Sequence, residues 1–207
     1  MAVTQDKQRI KLDTPLGKDT FLVQRMSGQE TISKPFQFSF QVVTESESID
    51  QTKLIGKSIT CSVKCNDGSE RFFSGIVSSL VAGGVVEARF RQYQIMMVPW
   101  LSLLSYRSDC RIFQEMSAPD IIEEVFKSLG FNDFSWKLQG TYSSREYCVQ
   151  YRETDFEFVT RLLEEEGIYY FFKHESSKHT LMLSDYAKAY EKVALDPIDV
   201  IDGTHTD

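Results

Sequence analysis

The clearest alternation of hydrophobic and polar positions lies in the C-terminal half of the chain and predicts a strand, a helix and a hairpin in succession. Residues 147–152 alternate between apolar or aromatic side chains and more polar ones, as in a strand with two distinct faces. Thr154 and Glu157 then have the spacing of a capping box, and an apolar stripe of about two turns follows. Gly167 occupies the position where many helices end in a left-handed residue. Residues 168–184 return as two runs rich in β-branched, aromatic and aliphatic side chains around a polar turn.

The C-terminal end of this predicted helix carries three consecutive acids, Glu164, Glu165 and Glu166. Negative charge is unfavourable there because the helix dipole is itself negative at that end. One interpretation is a solvated helix end, relieved by ion pairs of Arg161 with Glu157 and Glu165 at i,i+4 spacing. The other interpretation is a surface that contacts another protein. On that ground we name Glu164, Glu165 and Glu166 as a candidate protein-contact patch.

The first half of the chain is a succession of short alternating segments joined by turn-forming residues. In residues 35–43 apolar Phe and Val side chains occupy every second position, which is typical of a half-buried antiparallel strand. Asn66–Gly68 and Gly83–Gly84 predict tight turns, and Gly75 within a strand predicts a bulge or a close backbone approach. The predicted strands cover residues 9–12, 20–26, 35–43, 57–65, 71–81 and 85–98. Short strands at this spacing predict an antiparallel barrel or sandwich.

After residue 110 the pattern changes to a mixture of helix and strand. Ser117 and Asp120 form a second helix-capping signal, and an apolar stripe follows until Gly130. Further strands are predicted over residues 135–138, 147–151, 168–174 and 179–184. The sequence therefore predicts a β-rich α+β chain. An antiparallel barrel-like domain occupies residues 1–110, a small α+β domain 111–190, and a linker or truncated edge 191–207.

Composition and charge restrict the class of protein. The chain has 207 residues, of which 42% are hydrophobic, so it can bury one core of moderate size or two small ones. Its net charge of −7 argues against a nucleic-acid surface, which would need clustered cations. Residues 1–13 are rich in charge and lack the apolar segment of a signal peptide. The longest uncharged run, residues 92–106, is too short to span a bilayer as a helix. These features predict a protein that is made in the cytoplasm and does not insert into a membrane.

The four cysteines are Cys61, Cys65, Cys110 and Cys148. Cys61 and Cys65 share one face of a predicted strand, whereas zinc sites place such pairs on turns and need a second ligand pair. With no leader for an oxidising compartment, we expect free, buried thiols rather than disulfides or a metal site.

Other residues capable of chemistry give no coherent active site. His174 and His179 flank the predicted hairpin, which favours a cross-strand pair over a metal or acid–base site, and His205 lies in the tail. Asp155 and Glu157 could be imagined as the two carboxylates of a glycosidase. Residues two apart on a helix point in different directions, however, which argues against this pair. Known nucleotide, hydrolase and metalloprotease motifs are absent from the sequence. The residues alone thus indicate a β-rich module with no catalytic residues and no cofactor.

Several ordered motifs resemble those of the valine-glycine repeat protein G (VgrG) family. The strongest is VQYRETDFEFVTRLLEEEGIYYFF at residues 149–172, followed by a histidine, a polar turn and L-x-L-S-D. Five further matches occur in order, at Ser33–Phe36, Leu54–Lys57, Phe73–Val77, Val98–Leu101 and Cys110–Gln114. The resemblance covers most of residues 21–185.

This resemblance implies a role in a type VI secretion system. VgrG proteins are spike proteins related to the baseplate hubs of contractile phage tails, so the chain is expected to be a structural protein rather than an enzyme. The family's N-terminal part supplies two barrel-like domains per chain to a homotrimer. This trimer caps the tube of Hcp protein, carries a PAAR-type tip and effectors, and is secreted through the apparatus. A chain ending at residue 207 is expected to hold the first barrel and its α+β insert. The second barrel, the OB-fold and the needle would be missing.

Two other functions fit the same sequence less directly. The second alternative is the hub of a phage tail or related contractile particle, which has the same fold in a different machine. An enzyme or carbohydrate-binding module acting on the cell wall is the third alternative, and no motif favours it.

Overall fold

A computed structural model of the chain describes residues 4–189. The predicted linker at 191–207, including His205, lies outside the described residues. Within them the elements are β1 Ile10–Asp13, β2 Leu22–Thr31, β3 Lys34–Thr44, β4 Ser58–Lys64, β5 Glu70–Val86, β6 Phe90–Val98, β7 Ser108–Phe113, α1 Ala118–Ser128, β8 Phe134–Lys137, β9 Cys148–Thr154, α2 Asp155–Glu165, β10 Tyr169–His174 and β11 His179–Ser184. Two 3₁₀ helices, Gln51–Lys53 and Trp100–Tyr106, connect strands. No helix in residues 4–189 is long and apolar enough to cross a membrane.

The first six strands form one curled antiparallel sheet in the order β1-β4-β5-β6-β3-β2. The alternation in β3 sets its inner face: Phe36, Phe38, Phe40 and Val42 are each at most 4% exposed, whereas their polar neighbours face outward. Gly75 lies where β5 passes close to β6, because a Cβ there would come within 2.8 Å of the main-chain oxygen of Val98. The predicted alternation in β3 and the close approach at Gly75 are therefore confirmed.

The predicted turn at Gly83–Gly84 is wrong. Both glycines lie inside β5, where the register with β6 shifts between Ala82 and Val85. The chain reverses instead at Glu87 and Ala88, each of which has a φ of 53°. The two glycines thus lie at a bulge rather than at a turn, and two non-glycine residues adopt the left-handed conformation that the hairpin requires.

The remaining elements build a second core. β8, β10 and β11 form a three-stranded sheet in which β11 runs antiparallel to β10 and parallel to β8. β7 and β9 form a separate antiparallel ribbon, and both helices pack on this assembly. The predicted domain boundary after residue 110 falls within β7, whose partner β9 belongs to the second core. The division into two domains stays a prediction.

The helix boundaries follow the capping signals. Thr154 and Glu157 form a complete capping box at the start of α2, and Gly167 follows its end with a φ of 66°. Ser117 caps α1 by accepting a hydrogen bond from the Asp120 amide, and Gly130 follows with a φ of 81°. Both helices are thus confirmed, together with the residues that begin and end them.

Aromatic side chains join the two cores. The ring of Phe36 lies 5.0 Å from that of Phe172 and 4.7 Å from that of His174, between centroids. The tip of the β2–β3 hairpin also contacts β10, since the Ser33 amide donates to the main-chain oxygen of Tyr170 over 2.8 Å. The family-like motif at Ser33–Phe36 therefore holds the barrel against the α+β unit.

Candidate contact surfaces

The acidic end of α2 is occupied in part by arginines of the same chain. Arg145 donates to Glu165 over 2.7 Å and also binds Glu166, and Arg161 lies 3.2 Å from Glu165. The guanidinium of Arg145 is the main cause that lowers the pKa of Glu165. Glu164 is exposed and has no ion pair among residues 4–189. The candidate contact patch thus presents one carboxylate that is not shared within the described chain.

One of the two ion pairs expected on α2 does not form. The carboxylate of Glu157 accepts the Thr154 amide over 2.8 Å as part of the capping box, so it does not bind Arg161. Arg161 instead donates to Glu153 at the end of β9 over 2.6 Å. The prediction of a Glu157–Arg161 ion pair is therefore wrong, because the Glu157 carboxylate binds Thr154 in the helix cap instead.

The β7–β9 ribbon exposes the side chains that would ordinarily be buried. Ile112 and Val149 are cross-strand neighbours and are 59% and 38% exposed, and Tyr151 is 63% exposed. Cys148 and Gln150, on the opposite face of β9, are buried. The period-2 pattern identified two faces, and the structure turns the apolar and aromatic face outward.

A buried polar network explains this orientation. Asp155, at the first position of α2, is fully buried and bound by Arg111 of β7. Gln150 donates to the same carboxylate over 2.8 Å and accepts from Arg111 over 2.9 Å. Since a buried charge must be paired and hydrogen-bonded, Gln150 faces inward and its neighbours on β9 face solvent.

His174 and His179 are direct cross-strand partners on β10 and β11, as the hairpin spacing predicts. The Trp100 amide donates to Nε2 of His179 over 3.0 Å, while Nε2 of His174 lies 3.0 Å from the carboxylate of Glu30. Glu30 is 144 residues away in the sequence, so no local pattern could have revealed this contact. Nδ1 of His174 lies 3.1 Å from the main-chain nitrogen of Ser74 on β5. The pair therefore links the hairpin to the barrel.

Stability is expected to fall on mild acidification because of His179. Burial, together with the neighbouring His174, lowers the pKa of His179 from 6.5 to about 4. The neutral imidazole of His179 stabilises the folded state fully above pH 6.5. This stabilisation is lost as pH falls towards 4, because the unfolded chain binds a proton at His179 at a higher pH than the folded chain does. We expect a loss of about 2 kcal/mol by pH 5 from this group.

Urea unfolding of the wild type and of His179→Gln between pH 8 and pH 5 measures this loss. Glutamine can still accept from the Trp100 amide but does not titrate. Carboxylates contribute to the pH dependence of stability in both proteins, so only the difference between the two pH profiles reports His179. Parallel profiles would contradict the assignment.

The L-x-L-S-D motif closes a loop against the end of β11. The carboxylate of Asp185 accepts the amides of Gln139 and Gly140, at 2.9 and 2.7 Å, and the hydroxyl of Tyr142 at 2.9 Å. Burial raises the pKa of Asp185, but these hydrogen bonds lower it by more, so the net shift is downward. The motif residue Asp185 therefore has a structural role in this chain.

The cysteines and histidines form no metal centre in the described residues. All four cysteines are free, as expected, although Cys110 is exposed and Cys65 only partly buried. No group of three or more potential metal ligands occurs in residues 4–189. Burial raises the pKa of the Cys61 thiol to about 12, so this thiol is unreactive near neutral pH.

Comparison with known proteins gives the family. The profile of the phage tail baseplate hub (GPD) family matches residues 29–206. Two Pseudomonas aeruginosa proteins, the type VI secretion system spike proteins VgrG1b and VgrG1a, are 44% and 47% identical to this chain. The matches cover 92% and 85% of this chain, but only 26% and 27% of those proteins. The chain thus spans about a quarter of the length of these relatives.

Solved structures give the same fold. The Escherichia coli c3393 protein, described as a component of the type VI secretion system with structural similarity to the T4 tail proteins gp27 and gp5, aligns with a TM-score of 0.79. The two share 23% identity over 88% of this chain and 51% of that one. A tail protein from Neisseria meningitidis aligns with a TM-score of 0.59 at 15% identity, over 84% of this chain and 49% of that one. Together with the profile match, these findings show that the chain belongs to the phage tail baseplate hub (GPD) family, and that its resemblance to VgrG spike proteins is confirmed.

Proposed function

We propose that this chain is the hub part of a type VI secretion spike, in which three copies cap the Hcp tube. The observation that carries the proposal is the identity of 42–47% to three VgrG spike proteins over 85–94% of the chain. The fold supports it, since a capping hub works through strand edges and faces. This chain exposes apolar strand residues both on the six-stranded sheet and on the β7–β9 ribbon. On this proposal the described part of the chain acts by assembly rather than by catalysis.

The test is the solution mass of the protein at its native length by light scattering, alone and with purified Hcp. A trimer that binds the Hcp ring supports the proposal. A monomer that does not bind Hcp at high concentration would overturn it. The 207-residue chain measured beside it shows whether these residues are sufficient for assembly.

Delivery and the remaining partners are proposed for the whole protein. We place the PAAR-type tip and the effectors on parts that this chain does not contain, and we place synthesis in the cytoplasm, followed by export through the apparatus. Deleting the gene should abolish the appearance of Hcp in the culture medium of a strain that has no second spike gene. Unchanged Hcp in the medium of such a strain would contradict the proposed delivery role.

The hub of a phage tail is the second candidate. The family profile and the Neisseria tail protein favour it. Neighbouring genes separate the two machines, since a secretion system lies beside its own sheath, tube and ATPase genes and a phage hub lies beside capsid genes.

The candidate protein-contact patch at Glu164–Glu166 can be tested by reversing a charge. Glu164→Lys should leave the free energy of unfolding within about 0.5 kcal/mol of the wild type, because the side chain is exposed and forms no ion pair within residues 4–189. If the patch is a contact, the same change weakens assembly or Hcp binding by about tenfold. Glu175→Lys, an exposed glutamate in the β10–β11 turn, is the matched control. Normal assembly and secretion with Glu164→Lys would exclude the patch as a contact.

A further inference from the structure

The second half of β5 has an open edge. β4 pairs with β5 only as far as Ile76, and the last main-chain bonds on that side join Val77 to Gly56 and Lys57. From Ser79 to Val86 the strand pairs with β6 alone in the part of the chain that the structure describes. The main-chain groups on its other side are therefore available to a further strand.

This edge carries a bulge between Ala82 and Val85, but within residues 4–189 it lacks the charge, the proline and the covering element that most directly keep strand edges from pairing. Soluble proteins protect such edges with charged residues, with proline or with a covering element. Ser79–Val86 contains no charge and no proline, although 26% of the whole chain is charged. Val81 and Val85 are 57% and 61% exposed. Gly83–Gly84 adds no side chain that would hinder the approach of another backbone.

A second copy of this chain offers a complementary edge. β2 is a terminal strand of the same sheet, and in the described residues it pairs only with β3. Arg25 of β2 is exposed and lies near the start of this edge, whereas Glu87 is exposed at the tip beyond β5. In an antiparallel pairing that places Arg25 of one copy beside Glu87 of the other, no two like charges lie opposite each other.

We infer that Ser79–Val86 is an assembly edge, to which a second copy of this protein adds a strand. The contact joins two different edges, so it is heterologous and can close into a ring rather than a two-fold dimer. Main-chain hydrogen bonds hold the added strand, and the exposed valines pack against it. The inference rests on the proposed trimer and names the surface through which its subunits meet.

Hydrogen exchange tests this inference on the protein at its native length. Those amides of residues 79–86 that do not donate to β6 should exchange at least about tenfold more slowly in the assembled protein than in the same protein diluted until it is monomeric, because added pairing protects them. Val81→Lys with Val85→Lys should raise the dissociation constant of the assembly by about tenfold or more. Val81→Thr with Val85→Thr keeps strand propensity without adding charge and should assemble as the wild type does.

The outcomes separate the edge from the proposed function. Slow exchange at residues 79–86, together with weakened assembly of the lysine variant only, supports the edge. If the wild type forms a trimer but these amides exchange as in the monomer and the lysine variant assembles normally, the edge is overturned and the proposed function stands. If the wild type forms no trimer and binds no Hcp, the proposed function fails and the edge fails with it. Thermal unfolding of both valine variants as the 207-residue chain shows whether a loss of assembly arises from misfolding.

Discussion

Replacing Arg111 by methionine is expected to lower the free energy of unfolding by about 3–5 kcal/mol, the usual cost of leaving a buried charge without its partner. Asp155 is fully buried, and Arg111 is the cation bound directly to it. Gln150 would remain as a neutral donor, and Arg107 lies farther away, with its Nε 3.7 Å from the carboxylate. Neither replaces a direct ion pair, although both place the expected loss nearer the lower end of that range.

Urea unfolding followed by circular dichroism measures this loss, and two further variants identify its cause. Arg111→Met combined with Asp155→Leu removes both charges and should recover part of the stability, because the penalty arises from the unpaired carboxylate. Arg25→Met, at an exposed arginine of β2, is the matched control and should cost less than about 0.5 kcal/mol. A loss below about 1 kcal/mol for Arg111→Met, or none recovered in the double variant, would contradict the role assigned to this pair.

Local signals predicted the elements whose boundaries depend on neighbouring residues. The capping box of Thr154 and Glu157 and the left-handed Gly167 define α2 in the sequence as they do in the structure. His174 and His179 pair across their hairpin for the same reason, since a turn of only four residues fixes the register of the two strands. Residue propensity and spacing act over a few neighbouring residues, and the α2 caps and the histidine pair depend only on such neighbours.

Predictions failed where a distant contact decided the outcome. Gly83–Gly84 has the composition of a turn, but the ladder with β6 continues through it to Val86. The pattern gave β9 two faces but did not say which is buried: Tyr151 faces solvent because Gln150 must reach the buried Asp155. No local pattern around Gln150 indicates that Arg111, 39 residues earlier, completes the network.

The two candidate contact surfaces were only partly visible in the sequence. The unusual charge of Glu164–Glu166 drew attention to the end of α2, but not to Arg145, which binds two of the three acids. The open edge of β5 was missed because the turn predicted at Gly83–Gly84 divided the strand. The uncharged run from Phe72 to Val86, between Arg71 and Glu87, was the available signal. Its meaning depends on the register of the β4–β5 pair, in which Ser58 at the start of β4 lies opposite Ile76, and the sequence does not state that register.

Gly28→Ala is the second change with a large expected effect, about 3 kcal/mol of destabilisation from overpacking. Gly28 lies opposite Phe38 across the β2–β3 hairpin, and a Cβ at this position would be 2.0 Å from Cδ1 of that ring. The ring cannot easily move, because it is 4% exposed and packs against Phe36 and Phe73, at 5.5 and 4.8 Å between centroids. The methyl group must therefore displace either the ring or the strand.

A double-mutant cycle separates this steric cause from a general intolerance of alanine. Gly84→Ala is the matched control, since nothing lies within 4 Å of the added Cβ, and it should change stability by less than about 0.5 kcal/mol. Phe38→Leu removes the ring and so should reduce the added cost of Gly28→Ala, giving a coupling energy of about 1 kcal/mol or more. Strict additivity would mean that the ring is not the obstacle. Because Phe38 also contacts His174 of β10, at 6.1 Å between centroids, displacement of the ring should weaken the junction of the two cores as well. Faster hydrogen exchange in β10 of the Gly28→Ala variant would reveal that second effect.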